Sequence, residues 1–226
     1  MSNRSSSLEE TFYGNCASLY DVVATAPGIR GWREHTVETL SLSPGDTVVE
    51  MGCGTGANLP FLRRAVGSEG TVIGIDLVRG MLDRAHKRVE RHGWENVHLI
   101  QGDATTPPID SADALVSTFV IGMLTDPASA VRTWMNTVEP GGRVTLLNAA
   151  RTNRLVARPL NLPCRLFVRL TAPGYQLRAD SPVKRLEERW VDASEALFEG
   201  TTGHVDERIG MGFITLASGE VIGETG

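Results

Sequence analysis

The sequence predicts an α/β fold, in which a doubly wound, mostly parallel sheet ends in a C-terminal antiparallel hairpin strand. Between residues 45 and 148, short β-branched apolar runs alternate with segments of helical periodicity, which is typical of repeated βα units. Near the C-terminus, two further strand-like runs are separated only by Gly210-Met211-Gly212. So short a link permits only an antiparallel hairpin.

The individual elements follow from apolar periodicity and from helix start and stop signals. One predicted helix spans residues 57–66, and another spans residues 79–92 and ends at Gly93. Asp126-Pro127 is predicted to start a helix. Pro140-Gly141-Gly142 is expected to end that helical segment before the fifth strand begins. The seven predicted strands span residues 47–51, 71–75, 97–101, 114–119, 143–148, 204–209 and 213–218. A last helix is predicted to open at Asp192-x-x-Glu195.

The first 44 residues are predicted to form two helices. Ser7-x-x-Glu10 has the form of a capping box at the start of the first helix. Pro27-Gly28 is expected to end that helix, and a second is expected over about residues 30–40. The turn Ser43-Pro44-Gly45-Asp46 then leads into the first strand.

The composition fits one compact domain over residues 1–226. The chain is 41% hydrophobic and 22% charged, which is enough apolar content for a full core. Its longest apolar run, residues 114–124, is too short for a membrane helix and fits a buried strand better. Because the N-terminus lacks the apolar stretch of a signal peptide, we expect a cytoplasmic protein.

Metal-dependent and nucleic-acid functions are disfavoured. Cys16, Cys53 and Cys164 are widely separated and have no metal-ligand spacing, so they indicate neither a disulfide framework nor a zinc site. The net charge of −5 argues against nucleic acid as a partner. We therefore expect no metal and no nucleic acid.

One segment departs from the acidic balance of the chain. Residues 140–179 contain seven arginines and no Asp, Glu or Lys, whereas the rest of the chain carries 15 basic and 27 acidic residues. As a helix, the segment has arginines on one face and apolar side chains on the other, and Pro159 and Pro163 divide it into two short helices. We expect this basic amphipathic insert, residues 149–191, to cover a lipid-like ligand or to contact an anionic membrane through residues 151–178. Alternatively, its arginines are merely solvated or paired. The four arginines on one face are Arg154, Arg158, Arg165 and Arg169.

The turn after the first strand carries the strongest functional signal. It reads Glu50-Met51-Gly52-Cys53-Gly54-Thr55-Gly56 and opens a helix. Glycines at alternate positions let the backbone turn tightly and bring its N–H groups against a ligand. Asp76 ends the next strand, where an acid can accept both hydroxyls of an adenosine ribose. Gly102-Asp103-Ala104 ends the strand after it, with an acid placed to reach an adenine amino group.

A dinucleotide site is the alternative interpretation of this turn. Gly52-x-Gly54-x-x-Ala57 also satisfies the looser NAD-binding pattern, so an NAD-dependent oxidoreductase is a competing hypothesis. Three features disfavour it. One is that the third predicted strand ends in Gly102-Asp103-Ala104, with an acid placed to reach an adenine amino group. Glu50 stands where dinucleotide folds usually keep an apolar residue. Gly56 lets a ligand approach the backbone closely at a point where a dinucleotide has no pyrophosphate.

Four successive motifs resemble those of class I S-adenosylmethionine (SAM)-dependent methyltransferases. They are Glu50-x-Gly52-x-Gly54-x-Gly56, Asp76, Gly102-Asp103-Ala104 and Glu139-Pro140-Gly141-Gly142. The resemblance implies SAM as cofactor and a Rossmann-like, seven-stranded sheet. It also divides the chain into four segments. These are N-terminal helices at 1–44, a cofactor-binding core at 45–148, the basic insert at 149–191, and the last helix and hairpin at 192–226.

The same resemblance implies roles for individual residues. The three glycines would contact the methionine part of SAM, Asp76 the ribose hydroxyls and Asp103 the adenine amino group. Thr118, which ends the fourth strand, would lie near the sulfonium. The implied cofactor-binding residues are Glu50, Gly52, Cys53, Gly54, Thr55, Gly56, Asn58, Asp76, Leu77, Met81, Gly102, Asp103, Ala104, Thr118 and Phe119.

Two narrower resemblances concern the acceptor of the methyl group. Tyr20-Asp21 and the stretch from Pro27 to Arg33 resemble the quinone-ring C-methyltransferases of ubiquinone and menaquinone synthesis, although Gly122-Met123 stands where that family has Arg-Asn. Gly54-Thr55-Gly56-x-x-Leu59-Pro60 is closer to bacterial phosphatidylethanolamine N-methyltransferases. Both families act on membrane lipids, which implies a small lipophilic acceptor, either a quinol or a phospholipid amine.

No catalytic base is identified from the sequence, because methyl transfer needs one only if the acceptor must lose a proton. The candidate acceptor residues are Tyr20, Asp21, Arg30, Trp32, Arg33 and Asn148. A soluble small-molecule methyltransferase and a non-catalytic SAM-binding protein are the remaining alternatives.

Overall fold

The computed structural model of the protein describes residues 27–150 and 182–223. Several predictions fall outside these residues. They are the capping box at Ser7 and Glu10, the acceptor candidates Tyr20 and Asp21, and the arginines of residues 151–178.

One seven-stranded sheet organises the described chain, in the order β3-β2-β1-β4-β5-β7-β6. Strand β1 lies between β2 and β4 and pairs in parallel with both, while β7 runs antiparallel between β5 and β6. The predicted fold class is confirmed, including its C-terminal antiparallel hairpin. The strands are β1 (Thr47–Met51), β2 (Thr71–Asp76), β3 (Val97–Gln101), β4 (Ala112–Thr118), β5 (Val138–Ala149), β6 (Thr201–Ile209) and β7 (Ile214–Val221).

Helices cover both faces of this sheet. On one face, α1, α2 and α3 bury apolar side chains against β1, β2 and β4, as illustrated by Leu62 against Val48. On the other face, α4 and α5 pack together over β4 and β5, and the ring of Trp134 is fully buried there. Val48 and the next residue, Val49, belong to opposite cores, because successive strand side chains point to opposite faces. The helices are α1 (Pro27–Glu38), α2 (Leu59–Val66), α3 (Arg79–His92), α4 (Pro127–Asn136) and α5 (Pro182–Glu199).

Several element boundaries differ from the predictions, and three of these differences have a clear physical reason. Pro27 begins α1 instead of ending an earlier helix, which fits the preference of proline for the first helical position. Helix α5 begins at Pro182, ten residues before the predicted start, so Asp192 lies exposed in the middle of the helix. An acidic pair at i and i+3 is equally compatible with a helix surface, and this explains the error.

The third difference concerns Pro140-Gly141-Gly142, which lies inside β5 and not between a helix and a strand. Helix α4 already ends at Asn136. The pairing of β4 with β5 shifts register between Ala112 and Ala114, which accommodates the extra residues as a bulge. A side chain at Gly142 would lie 2.2 Å from the backbone oxygen of Asp113, so this bulge requires glycine there.

Candidate active site at the carboxyl edge of the sheet

The glycine-rich turn joins the end of β1 to the start of α2. Gly52, Gly54 and Gly56 have φ values of 70°, 55° and 76°, all in the left-handed region that favours glycine. An added Cβ at Gly52 would lie 2.2 Å from Cγ2 of Val120. Both backbone conformation and packing therefore demand glycine at position 52.

Most of the N–H groups in this turn already have partners within the protein. Gly52 and Cys53 both donate to the backbone oxygen of Ile75, at 2.8 and 2.9 Å. Gly56 donates to the oxygen of Cys53, and Gly54 donates to Oδ2 of Asp76 at 2.8 Å. These four amides are therefore occupied by hydrogen bonds within the protein in this structure. The glycines make a tight, internally bonded turn without side chains, which lets a ligand approach the backbone closely.

Replacing Gly52 by alanine tests this packing, with Gly45→Ala as the matched control. Gly45 also has a left-handed φ, of 102°, but no atom lies within 4 Å of an added Cβ there. Both substitutions should cost about 1–2 kcal/mol of unfolding free energy for the backbone conformation. Gly52→Ala should cost about 1–3 kcal/mol more, because its methyl group overpacks against Val120. Urea unfolding of both variants measures the difference, and equal losses would contradict the argument.

Asp76, at the end of β2, holds the turn in place. Its carboxylate accepts hydrogen bonds from the backbone N–H groups of Gly54 and Val78, both at 2.8 Å. Burial raises the pKa of Asp76 above its ordinary value, and these two hydrogen bonds oppose that rise. Asp76 thus connects the glycine turn to the loop that follows β2.

The predicted adenosine-binding residues come together where β2 and β3 end. The Gly102 N–H donates to the backbone oxygen of Asp76 at 3.1 Å, which ties the two strand ends together. Leu77, in the loop directly after β2, is 61% exposed. Met81 is buried on α3, and the exposed Asp103 accepts bonds from the backbone and hydroxyl of Thr105.

A buried polar network lies at the ends of β1 and β4. The Asn58 amide donates to Oε1 of Glu50 at 2.5 Å and to the hydroxyl oxygen of Thr118 at 3.1 Å. Arg33, from α1, donates to Oδ1 of Asn58 at 2.8 Å. All four side chains are almost completely buried. Three predicted cofactor residues are thus joined by Arg33, which the sequence indicated only as an acceptor candidate.

Glu50 has an unsatisfied oxygen inside this network. Its Oε2 is buried and has no hydrogen-bond partner among the described residues. Burial raises the pKa of Glu50 from 4.5 to about 8, although Arg33 and Asn58 act in the opposite direction. A carboxyl group of this kind suits a ligand that brings its own positive charge.

Phe119 follows this network in a strained conformation. Its φ of 63° lies in the left-handed region, which is rare for an aromatic residue and typical of functional sites. The backbone N–H of Phe119 donates to the oxygen of Leu147, and the Arg33 guanidinium lies 5.6 Å from its ring centroid. Arg33 therefore contacts both the polar network and the first residue after β4.

The remaining acceptor candidates occupy different environments. Trp32 packs with Leu147 in the core beneath the hairpin, and a Cβ at Gly210 would lie 2.5 Å from its ring. Asn148 is buried near the end of β5, and its Nδ2 has no partner within the described chain. Arg30 is exposed at the start of α1, beside the ring of Phe61.

Cys53 is not suited to act as a nucleophile. Its side chain is buried, and burial raises the pKa of the thiol well above its ordinary value. The described residues contain no group of His, Cys, Asp or Glu that could hold a metal ion. Within the same residues, no helix has the length and apolarity needed to cross a membrane.

Comparisons with known proteins identify the domain. A family model described as a methyltransferase domain matches residues 48–142. The demethylmenaquinone methyltransferase of Desulfitobacterium hafniense is 31% identical over 150 residues, which cover 64% of this chain and 59% of that relative. The aklanonic acid methyltransferase of Streptomyces sp. strain C5 is 35% identical over 102 residues, covering 44% and 46%. The chain spans about half the length of these curated relatives.

Solved structures agree with the fold. A SAM-dependent methyltransferase from Aquifex aeolicus superposes with a TM-score of 0.60 at 18% identity, covering 84% of this chain and 89% of that structure. The predicted cofactor, SAM, is confirmed at the level of family and fold, and the dinucleotide alternative receives no support. The family match, residues 48–142, includes the glycine turn and the carboxyl ends of strands β1 to β4. The chain therefore contains a class I SAM-dependent methyltransferase domain.

Proposed function

We propose that this protein transfers the methyl group of SAM to a small lipophilic acceptor bound at the carboxyl edge of the sheet. The observation that carries the proposal is the buried Oε2 of Glu50, which lacks a partner among the described residues beside the glycine turn. The methionine part of SAM has an ammonium group, which a buried carboxylate oxygen complements in charge and in hydrogen bonding. The residues of this site therefore fit the cofactor.

The rest of the cofactor fits the neighbouring strand ends. Asp76 would accept the ribose hydroxyls while it continues to hold the Gly54 amide. The exposed side chain of Leu77 would be available to pack on the adenine ring. Asp103, whose Oδ1 already accepts bonds from Thr105, would bind the adenine amino group.

The chemistry requires positioning more than acid–base groups. When bound, SAM supplies a methyl group that its sulfonium already activates for in-line displacement. Holding the acceptor in line with that group can be worth about 7–11 kcal/mol of the barrier. The buried network of Arg33, Asn58 and Thr118 would fix the walls around the transferred methyl group and exclude water from it.

Two exposed methionines favour a lipophilic acceptor. Met123 follows β4 and Met211 lies in the turn between β6 and β7, so the two flank the end of β5 at the carboxyl edge. They are 52% and 54% exposed, and methionine adapts readily to apolar ligands. Together with the 31% identity to a demethylmenaquinone methyltransferase, this favours a quinol over a phospholipid amine. Contact of residues 151–178 with an anionic membrane remains a proposal, because those residues lie outside the described chain.

Methyl-labelled SAM offered with a demethylated quinol, phosphatidylethanolamine vesicles or a water-soluble metabolite extract tests the proposal. We expect the label to enter the quinol. Met123→Ser with Met211→Ser should raise the KM for the quinol about tenfold and leave the KM for SAM unchanged, because the lost contacts are apolar. Val191→Ser with Ile222→Ser is the matched control, since both residues are exposed and apolar and neither lies on these two turns.

A thermal-shift measurement separates the alternatives. S-adenosylhomocysteine at 100 times its dissociation constant should add about 2.7 kcal/mol of stability, whereas NAD should add none. Stabilisation without any label transfer would indicate a non-catalytic SAM-binding protein. If the label enters only water-soluble products, the acceptor is a soluble molecule and not a lipophilic one.

A further inference from the structure

Asn148 carries a buried hydrogen-bond donor that no described residue satisfies. The residue lies near the end of β5 and is 2% exposed, and its Nδ2 has no partner within residues 27–150 and 182–223. Thr215, directly across on β7, donates its hydroxyl to the backbone oxygen of Asn148 at 3.4 Å and leaves Nδ2 unbonded. A buried amide donor without a partner is rare in folded proteins and destabilises them.

The packing of β5 gives no structural reason for an amide at this position. Val144, Leu146 and Asn148 alternate along the strand, so they point to the same face of the sheet. Val144 and Leu146 are fully buried in the core beneath α4 and α5, and an apolar side chain at position 148 would continue this stripe. Asparagine is also disfavoured in strands. A residue that opposes both packing and strand preference is expected where it serves a ligand.

Asn148 lies beside the end of β4, at the carboxyl edge of the sheet. Leu147 pairs with Thr118, and the backbone N–H of Phe119 donates to the Leu147 oxygen at 2.7 Å. Asn148 is therefore one residue beyond the level of Thr118, the residue expected near the sulfonium. Neighbouring strands lie about 4.8 Å apart and one residue adds about 3.3 Å, so a molecule the size of one ring can reach both residues.

The two polar side chains approach this edge from opposite faces of the sheet. Thr118 alternates with Val116, which is buried beneath α1, α2 and α3, whereas Asn148 lies on the face of α4 and α5. The donor of Asn148 is thus separate from the polar network of Glu50 and Asn58. A ligand that lies across the strand ends would meet the network on one side and Asn148 on the other.

The short turn Ile121–Met123, which follows β4, lies on the same face as Asn148. Ile121 is buried in the core of that face, and Arg189 of α5 donates to the Gly122 oxygen at 2.5 Å, which fixes the turn. Met123 in this turn is 52% exposed. The same side of the edge therefore offers an apolar side chain and, at the end of β5, a single unmet amide donor.

We propose that Nδ2 of Asn148 donates a hydrogen bond to an oxygen of the methyl acceptor, which is an apolar molecule with a hydroxyl or carbonyl group. This inference rests on the proposed function and adds the chemical group by which the acceptor is recognised. Asn148 determines specificity and does not act as an acid or a base, because its amide does not titrate. A site with a buried donor rejects molecules of the same shape that lack the oxygen, since the donor would then stay unpaired.

The first test compares stability with acceptor binding in Asn148→Val. Removal of an unpartnered donor should leave the urea midpoint at or above that of the wild type, while the KM for a demethylated quinol rises about tenfold. The affinity for S-adenosylhomocysteine should not change. Asn148→Ala repeats both measurements without added volume, in case valine overpacks the site.

Thr145→Val is the matched control on the same strand. The hydroxyl of Thr145 is also buried, but it lies 2.8 Å from Oγ of Ser218 and is hydrogen-bonded to it. This variant should therefore lower the urea midpoint and keep the KM for the quinol. The opposite responses of the two variants separate a donor kept for a ligand from a polar group kept for the fold.

The second test uses naphthol and methylnaphthalene, substituted at the same ring position, as a matched pair of probes. They differ only by a hydroxyl in place of a methyl group, and each is titrated by fluorescence into protein saturated with S-adenosylhomocysteine. Between wild type and Asn148→Val, the ratio of the two dissociation constants should shift about tenfold against naphthol. Thr145→Val should keep the wild-type ratio.

Three results would overturn the proposal. An unchanged ratio would show that the amide does not contact the oxygen, and weaker binding of S-adenosylhomocysteine would assign Asn148 to the cofactor. A loss of stability in both Asn148 variants as large as in Thr145→Val would show that the amide is bonded within the protein. If the wild type transfers no label from SAM, the proposed function has failed as well, whereas label transfer with an unchanged probe ratio removes this proposal alone.

Discussion

Replacing Glu50 by glutamine is expected to remove a large part of the pH dependence of this protein's stability. The carboxyl group is buried, and burial raises its pKa from 4.5 to about 8. Between these two values the folded protein binds a proton that the unfolded chain has released. The unfolding free energy of the wild type should therefore fall as the pH rises through this window, by about 3–5 kcal/mol in total.

Glutamine is the neutral counterpart of the protonated carboxyl group and has no titration of its own. Its amide oxygen can still accept the hydrogen bond from Asn58. We expect the variant to match the wild type near pH 5 and to be more stable above pH 8. Urea unfolding at several pH values measures this, with Glu95→Gln as a control, since Glu95 is exposed. Parallel curves for wild type and Glu50→Gln would contradict the assignment.

The same variant tests whether Glu50 binds the cofactor's ammonium group. A cation beside Oε2 favours the ionised carboxylate, so binding should lower the pKa of Glu50 and release a proton near pH 7. Calorimetry of S-adenosylhomocysteine binding in buffers with different ionisation enthalpies counts the protons released. We expect release approaching one proton for the wild type and none for Glu50→Gln.

Replacing Asp76 by asparagine is expected to weaken S-adenosylhomocysteine binding by a factor of about 10² to 10³. The variant loses the charge of an acceptor that would serve both ribose hydroxyls, and hydrogen bonds to a charged group contribute about 1.5–3 kcal/mol each. The Gly54 and Val78 N–H groups donate to different oxygens of Asp76, so the single asparagine oxygen can accept only one of these bonds. The other N–H group loses its acceptor, which should cost about 1–3 kcal/mol of unfolding free energy and leave the variant folded. Fluorescence or calorimetric titration of the folded variant measures the affinity.

Two comparisons isolate the role of the carboxylate at position 76. Asp76→Ala should lose more stability than Asp76→Asn, because it leaves both N–H groups without their acceptor, at about 1–3 kcal/mol each. Asp83→Asn lies on the exposed face of α3, paired with Arg79, and should leave cofactor binding unchanged. If Asp76→Asn binds S-adenosylhomocysteine with wild-type affinity, the proposal that Asp76 binds the ribose is wrong.

Local sequence signals located most of the elements. Gly93 adopts the left-handed conformation that its position after α3 predicted, and Asp126 caps α4 by accepting the Ser129 N–H at 2.9 Å. Both signals act within one helical turn, so they can be recognised without knowing the rest of the fold. The start of α5 and the bulge in β5 could not be predicted in this way. Asp192 caps nothing inside a longer helix, and the bulge depends on contact with the neighbouring strand β4.

The sequence by itself determined the order of the strands and helices, the glycine turn and the acids at or just after the ends of β1, β2 and β3, since each depends on the conformational preferences of a few adjacent residues. Only the tertiary structure decided which distant side chains meet. Arg33 reaches Asn58 across 25 positions and Thr118 across 85. Such contacts depend on how helices pack on a sheet, so they cannot be predicted from the spacing of residues along the chain. The same packing removes water from Glu50 and so raises its pKa, although the residue was identified from its motif alone.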